Sequence, residues 1–155
     1  MTLEDLFSLK GRVALVTGGS RGIGKMIVEG FLAAGIERVY ISARKIDEIE
    51  ETCAELGDRV IGIQGDLSTI SGIEALVEQL SSRESKLDIL VNNAGITRDS
   101  TLQKTTAEQW QQVIDVNLTG VFNCTQAVYP YMKEAAYGRI LNASSVVGLQ
   151  GNFGQ

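Results

Sequence analysis

The sequence contains no histidine, only one proline and only two cysteines in 155 residues. Without histidine, Ser-His-Asp triads, histidine-based zinc sites and imidazole general bases are excluded, so acid–base chemistry must come from other side chains. Cys53 and Cys124 lie far apart, and they form neither a disulfide framework nor a Cys-x-x-Cys metal or redox site. We interpret both as buried, reduced thiols, and we expect no metal site.

Positive charge is also scarce, with 14 lysines and arginines against 19 aspartates and glutamates and a formal net charge of -5. No basic stripe or tail is present, which argues against nucleic acid or an anionic membrane surface as a partner. The sequence has no apolar run of roughly 18 residues, and its first residues lack the pattern of a signal peptide. We therefore expect a cytoplasmic protein, with residues 1–155 forming one domain.

What the sequence does contain is an alternation of short β-branched runs and longer helix-period segments, the pattern of βαβ units. Strands are predicted at 12–17, 38–43, 60–65, 87–92 and 138–143, and helices at about 22–34, 46–56, 70–82 and 106–136. The strands are almost continuously apolar, which predicts helices on both faces. The expected fold is α/β: a three-layer Rossmann fold whose doubly wound parallel sheet has the strand order 3-2-1-4-5.

The last predicted helix is unusual in its interior, where Asn117, Thr119 and Gly120 follow one another closely. These residues are poor helix formers, so we predict an irregular backbone there.

The same helix has more apolar residues than one stripe can hold. Trp110 and Leu118 are among those assigned to the face that packs on the sheet, whereas Val116, Phe122 and Tyr129 are predicted to point elsewhere. The surplus face predicts a subunit contact, and with it a homodimer or homotetramer.

The first predicted strand leads into the turn T-G-G-S-R-G-I-G at residues 17–24, and a helix follows at once. In this order Gly18 allows a tight turn, Gly22 lets backbone N–H groups approach a pyrophosphate, and Gly24 allows close packing of the helix. The helix N-terminus adds a partial positive charge, which favours an anion. The alternative is a flexible loop with scattered glycines.

Two arginines indicate which dinucleotide the turn would hold. Arg21 lies inside the turn, and Arg44 follows the second strand, where Ala43 occupies a position at which NAD-binding proteins often have a carboxylate. Arginine can pair with the 2′-phosphate of NADP, so NADP(H) is favoured over NAD(H). The alternative is that both are solvated surface arginines.

Several motifs in order along the whole chain resemble those of the short-chain dehydrogenase/reductase superfamily. They are T-G-G-S-R-G-I-G, G-D-L from Gly65, N-N-A-G from Asn92, N-L-T-G from Asn117 and the serine pair Ser144-Ser145. Within the superfamily, N-N-A-G-I-T-R-D and G-R-I-L-N-A-S-S-V-V-G are most similar to 3-oxoacyl-[acyl-carrier-protein] reductases, which act in fatty acid biosynthesis, and to acetoacetyl-CoA reductases.

The resemblance implies a set of cofactor contacts. These place Gly18, Ser20, Arg21 and Ile23 at the diphosphate and adenosine ribose, Arg44 at the 2′-phosphate, Asp66 and Leu67 at the adenine, and Asn93, Ala94 and Gly95 at the nicotinamide-side ribose. Gly22 and Gly24 join this set through their place in the turn. Asp66 could instead cap a helix N-terminus, and Asn92 is interpreted as a structural residue that ties strands together.

The resemblance also implies two catalytic residues. Ser145 matches the serine that hydrogen-bonds the substrate carbonyl, and Asn117 matches the helix asparagine that holds a water in a proton relay. For Asn117 the alternative is a solvated or locally bonded side chain, and Ser144 is interpreted as an ordinary serine at a strand end.

The sequence departs from the family in one respect: the Tyr-x-x-x-Lys motif expected after the fifth strand is missing, because the sequence stops at Gln155. In the family this tyrosine donates the proton and the lysine lowers the pKa of the tyrosine. Tyr129, Tyr131 and Tyr137 precede the fifth strand and are not expected to replace it. We therefore expect a piece of a longer protein rather than a natural short form.

The expected function is an NADPH-dependent oxidoreductase that transfers hydride to a carbonyl, with a 3-oxoacyl thioester as the favoured substrate. Two alternatives stay open. One is a dinucleotide-sensing module without turnover, and the other is a reductase of a different ketone, such as a sugar or steroid.

Overall fold

The computed structural model describes residues 2–155, which form five strands, seven α-helices and one π-helical segment. The strands are β1 Val13–Thr17, β2 Arg38–Ala43, β3 Val60–Gln64, β4 Ile89–Asn92 and β5 Arg139–Asn142. The helices are α1 Leu3–Phe7, α2 Gly22–Ala33, α3 Ile46–Leu56, α4 Ile70–Ser81, α5 Ala107–Ile114, α6 Gly120–Glu134 and α7 Val147–Gln150, with π-helical residues Asp115–Thr119 between α5 and α6.

All five strands pair in parallel, in the order β3-β2-β1-β4-β5, so the predicted order is confirmed. β1 lies at the centre, with Val16 opposite Ile41 of β2 on one side and Val91 of β4 on the other. The chain reverses direction across the sheet between β3 and β4. In such sheets the ligand crevice lies outside the carboxyl ends of the strands at this reversal.

The sheet separates two hydrophobic cores, because successive side chains of a strand point to opposite faces. One core joins the sheet to α4 and α6 and includes Leu15, Tyr40, Leu76, Leu90 and Val128. The other joins the sheet to α2 and α3 and includes Val16, Val28, Val39, Ile41 and Ile49. The predicted three-layer arrangement is therefore confirmed.

Asp88, which directly precedes β4, connects β4 to β1 at the amino ends of the strands, opposite the crevice. Its buried carboxylate accepts a hydrogen bond from the backbone N–H of Val13 at 2.9 Å and pairs with Arg12 at 2.8 Å and Lys86 at 3.1 Å. Burial by itself would raise the pKa of Asp88, but the bonds from Val13, Arg12 and Lys86 outweigh it and hold the pKa below its usual value.

The predicted single helix at 106–136 was wrong, since the structure has α5, a π-helical segment and α6 in its place. The predicted irregularity around Asn117 is confirmed, because the π-helical residues contain it. A π-helical turn changes the angle between successive side chains, so a continuous 3.6-residue period no longer describes the faces. For this reason the assignment of Trp110 and Leu118 to the sheet was also wrong, and each is 63% exposed.

Three further expectations differ from the structure. β5 is exposed along its whole length, unlike β3 at the other edge of the sheet, so it is not covered on both faces as predicted. Cys124 is buried as expected, but Cys53 is only half-buried, where it packs against the core between the sheet and helices α2 and α3. The short helices α1 and α7 were not predicted, and neither has enough residues to show a helical period in the sequence.

None of the helices in residues 2–155 is long and apolar enough to cross a membrane.

Candidate functional site

Two adjoining clefts lie at the carboxyl ends of the strands. The first has a volume of about 310 Å³ and is lined by the turn after β1, the residues after β2 and β3, and the segment 93–96 after β4. The second has a volume of about 640 Å³ and is lined by residues of α5 and of the segments 96–102 and 145–155. Ile96 lines both, so a ligand in one cleft lies beside the other.

The turn after β1 is shaped by two glycines. Gly18 has a φ of +66°, a conformation that side chains disfavour, and its N–H donates to the carbonyl oxygen of Ser42 at 2.8 Å. A side chain at Gly24 would overlap the carbonyl oxygen of Gly18. The N-terminus of α2 can therefore lie directly against the turn, where its free N–H groups favour an anion.

Thr17 joins this turn to the segment after β4. Its buried hydroxyl donates to the carbonyl oxygen of Val91 at 3.2 Å and accepts from the backbone N–H groups of Asn93 and Ala94, each at 3.0 Å. Sequence reasoning missed this role, because a threonine at a strand end has many uses and only the pairing of β1 with β4 reveals the partner atoms.

The two asparagines after β4 have different surroundings. The Asn93 amide nitrogen donates to the carbonyl oxygens of Thr17 at 3.1 Å and Gly18 at 3.3 Å, so this side chain supports the turn. The buried Asn92 amide nitrogen donates to Asn142 at 2.8 Å and to a threonine of α6 at 3.1 Å. The interpretation of Asn92 as a residue that ties strands is confirmed.

Asp66 lines the first cleft and does not cap a helix. Its carboxylate accepts from the backbone N–H of Ser68 at 2.9 Å and from the Ser68 hydroxyl at 2.8 Å, and these two bonds lower the pKa of Asp66. The N-cap of α4 is Thr69, whose hydroxyl accepts from the N–H of Gly72. The helix-cap alternative for Asp66 was therefore wrong.

The end of the first cleft between β1 and β2 is rich in charged groups. Arg21, Arg44 and Lys45 line it, together with the carboxylate of Glu48. Arg21 and Arg44 were predicted from the sequence. Lys45 and Glu48 were missed, although Lys45 follows Arg44 directly and Glu48 lies three residues further, in the first turn of α3.

In the second cleft, Asn117 is bonded to the segment that separates the two clefts. Its amide oxygen accepts from the N–H of Ile96 at 2.9 Å, and its amide nitrogen donates to the carbonyl oxygen of Ile96 at 2.9 Å. The alternative of a locally bonded side chain was wrong, since its partner lies 21 residues earlier in the sequence, although Asn117 is exposed. The π-helical segment places Asn117 opposite Ile96.

Ser145 also lines the second cleft and is exposed to it. Its hydroxyl oxygen accepts from the backbone N–H of Val147 at 3.2 Å, which leaves the hydroxyl proton available for another acceptor. Asn117 and Ser145 therefore line the same cleft, although they lie in separate segments of the sequence.

The structure gathers all twelve residues predicted to bind the cofactor along the first cleft. They are Gly18, Ser20, Arg21, Gly22, Ile23, Gly24, Arg44, Asp66, Leu67, Asn93, Ala94 and Gly95. Their placement is an observation, and their individual roles stay predictions.

The spacing Tyr-x-x-x-Lys does occur once in the sequence, at Tyr129 and Lys133. Both residues lie in the second half of α6, and neither lines the two clefts described above. That the tyrosines before β5 do not supply the proton donor stays a prediction.

The family model that matches the chain is that of the short chain dehydrogenases, over residues 12–155. The chain is 42% identical over 151 residues to a 3-oxoacyl-[acyl-carrier-protein] reductase of Synechocystis sp., covering 96% of this chain and 61% of that protein. It is 44% identical over 147 residues to an acetoacetyl-CoA reductase of Shinella zoogloeoides, covering 93% of this chain and 59% of that protein.

Among solved structures, the chain is similar to that of the Pseudomonas aeruginosa RhlG/NADP active-site complex, with a TM-score of 0.86 and 42% sequence identity. The match covers 92% of this chain and 57% of that one. The chain thus spans about 60% of the length of the curated relatives it matches.

Proposed function

Because the chain belongs to the short chain dehydrogenase family, we propose that the complete protein is an NADPH-dependent oxidoreductase that transfers hydride to the carbonyl of a 3-oxoacyl thioester. The observation that carries this proposal is the pair of adjoining clefts. One is lined by the turn at residues 17–24, which we name the phosphate turn for its proposed role, the other is lined by Ser145, and Ile96 lines both. Relatives named as 3-oxoacyl-[acyl-carrier-protein] and acetoacetyl-CoA reductases support the choice of substrate.

The first cleft fits a dinucleotide. Because Gly24 has no side chain, the N-terminus of α2 lies close to the turn. Its first residues line the first cleft, where their free N–H groups would bind a diphosphate. Arg21, Arg44 and Lys45 lie at the end where the adenosine ribose would bind. We propose that they favour NADP(H) over NAD(H) by pairing with the 2′-phosphate. The complex of a 42% identical structure with NADP supports this preference.

In the proposed reaction, bound NADPH supplies the hydride. Ser145 donates its hydroxyl proton in a hydrogen bond to the substrate carbonyl oxygen, which stabilises the negative charge that develops there. Asn117 holds the backbone of Ile96 through two hydrogen bonds and so fixes the wall between cofactor and substrate. We place the proton donor outside residues 1–155, since the one Tyr-x-x-x-Lys spacing within them lies away from both clefts.

The proposal is tested by Ser145→Ala in the complete protein, with acetoacetyl-CoA as substrate. Loss of one hydrogen-bond donor to a developing oxyanion lowers kcat by about 10² to 10³, while the affinity for NADPH should stay unchanged because Ser145 lines the other cleft. The neighbouring Ser144→Ala is the control. Ser144 is also exposed, and its substitution should leave kcat within about twofold.

Three results would contradict the proposal. Unchanged turnover by Ser145→Ala would refute the role of the hydroxyl. Turnover of sugar or steroid ketones but not of acetoacetyl-CoA would refute the substrate class. NADPH binding without reduction of any of these ketones would indicate a sensing module.

We also propose that the complete protein is a homodimer or homotetramer. Phe122 and Tyr129 are 61% and 55% exposed on α6, and Leu118 just before it is 63% exposed. Several exposed apolar side chains on one helix are typical of a contact between subunits. Analytical ultracentrifugation of the complete protein tests this, and a monomer at micromolar concentration would refute it.

A further inference from the structure

Glu48 is an acidic residue at the basic end of the first cleft. One of its carboxylate oxygens lies 2.8 Å from Nζ of Lys45, and the other lies 3.8 Å from Nε of Arg21. Lys45 and Arg21 are largely exposed, whereas Glu48 is half-buried. A single carboxylate therefore interacts with two of the three cations that line this end.

The position of Glu48 is fixed by the fold. Thr52, one turn further along α3, is buried, and its hydroxyl lies 2.7 Å from the carbonyl oxygen of Ser20 and 2.9 Å from that of Glu48. This contact joins the first turn of α3 to the phosphate turn. The backbone of Glu48 is consequently held beside the first cleft, within reach of which its carboxylate lies.

Glu48 is also ionised at neutral pH. The hydrogen bond from Lys45 lowers the pKa of Glu48 below its usual value, and the charges of Arg21 and Arg44 act in the same direction. Arg44 differs from the other two cations, because it forms no ion pair with any side chain that the structure describes. The cleft thus offers one free cation and two that are shared with a carboxylate.

We infer that Glu48 limits the preference of the first cleft for NADP(H), because its carboxylate competes with a 2′-phosphate for Arg21 and Lys45. The inference rests on the proposed function, since it concerns the same cofactor. A 2′-phosphate must displace Glu48 from these cations or bind beside a like charge. A ribose 2′-hydroxyl carries no charge, so NAD(H) can bind without displacing Glu48 and without repulsion from it. Glu48 therefore weakens the preference for NADP(H) that the three cations create.

The test is Glu48→Gln in the complete protein, with dissociation constants for NADPH and NADH measured by isothermal titration calorimetry. The substitution keeps the shape of the side chain and removes its charge. We expect the ratio of the NADH to the NADPH dissociation constant to rise about three- to tenfold, as is typical for one nearby charge at a partly exposed site. The rise should shrink in 0.5 M salt, roughly three times the physiological ionic strength, because salt screens exposed charges.

Glu50→Gln is the matched control, because Glu50 is exposed on the same helix and lines neither cleft. It makes the same change in net charge and should leave the ratio within about twofold. The probes 2′,5′-ADP and 5′-AMP should repeat the difference, since they differ only in the 2′-phosphate.

The outcomes separate the inference from the proposed function. If wild-type protein binds NADPH but Glu48→Gln leaves the ratio unchanged, or changes it no more than Glu50→Gln, the inference is overturned and the proposed function stands. An equal loss of affinity for both cofactors in Glu48→Gln would also overturn it, since that indicates a structural role. If wild-type protein binds neither dinucleotide, both are overturned.

Discussion

Replacement of Thr17 by valine tests how the phosphate turn is held against the segment after β4. Valine has nearly the same shape as threonine but has no hydroxyl, so the backbone N–H groups of Asn93 and Ala94 would lose their acceptor and the carbonyl of Val91 would lose a donor. Each buried donor left without a partner costs about 1–3 kcal/mol. Asn93 and Ala94 are only half-buried, which favours the low end of that range.

We therefore expect Thr17→Val to lower the free energy of unfolding by about 2–4 kcal/mol, measured from urea denaturation followed by circular dichroism. Thr17→Ser is the matched control. It keeps the hydroxyl and loses one methyl group, so it should lose only about 1 kcal/mol. NADPH affinity should fall in Thr17→Val, because the turn and Asn93 line the same cleft. Equal stability of Thr17→Val and Thr17→Ser would refute the importance of these bonds.

Two further predictions concern Asp88, at the amino ends of the strands, and Gly24, in the turn after β1. Asp88→Asn places an amide donor against the donors of Arg12 and Lys86 and should cost about 2 kcal/mol at pH 7. Because the folded-state pKa of Asp88 is lowered, the wild-type advantage should be full above about pH 4 and disappear as the pH falls through the folded-state pKa, measured by urea denaturation at several pH values. Gly24→Ala places a methyl group against the carbonyl oxygen of Gly18 and should weaken NADPH binding at least about tenfold, measured by calorimetry.

Both predictions have clear contrary outcomes. A stability difference between Asp88 and its asparagine variant that is independent of pH would show that the charge is unimportant. For Gly24→Ala the control is Gly30→Ala, since a side chain at Gly30 meets no atom within 4 Å and should be neutral or stabilising by up to about 1 kcal/mol. Equal NADPH affinity of the two alanine variants would refute the packing argument.

The order of the strands and the two ends of α3 could be predicted from the sequence, because local patterns specify them. Apolar β-branched runs mark the strands, and Gly57 directly follows the last residue of α3. The strand order followed from the handedness of βαβ crossovers together with one reversal. The residues predicted to bind the cofactor came from the resemblance to the family, and they lie shortly after a strand or in the first turn of α2.

The division of the helix around Asn117 and the contacts of the site could not be fully predicted. Poor helix formers indicated an irregular backbone, but the widened turn is held by the bonds between Asn117 and Ile96, which depend on tertiary structure. Glu48 was missed for a related reason. A glutamate in the first turn of a helix is ordinarily a favourable partner of the helix dipole, and only the contact between α3 and the phosphate turn places it in the cleft.

The two cores on opposite faces of the sheet have a consequence for how the protein can change. Side chains of the α2–α3 core lie on the face of the sheet that α2 covers, whereas those of the α4–α6 core lie on the other face and include Leu67, which also lines the first cleft. Substitutions that do not share contacts generally have additive effects on stability. Substitutions on the α4–α6 side that spare Leu67 and Ala94, including those at the exposed apolar residues of α6, should therefore leave the turn after β1 intact.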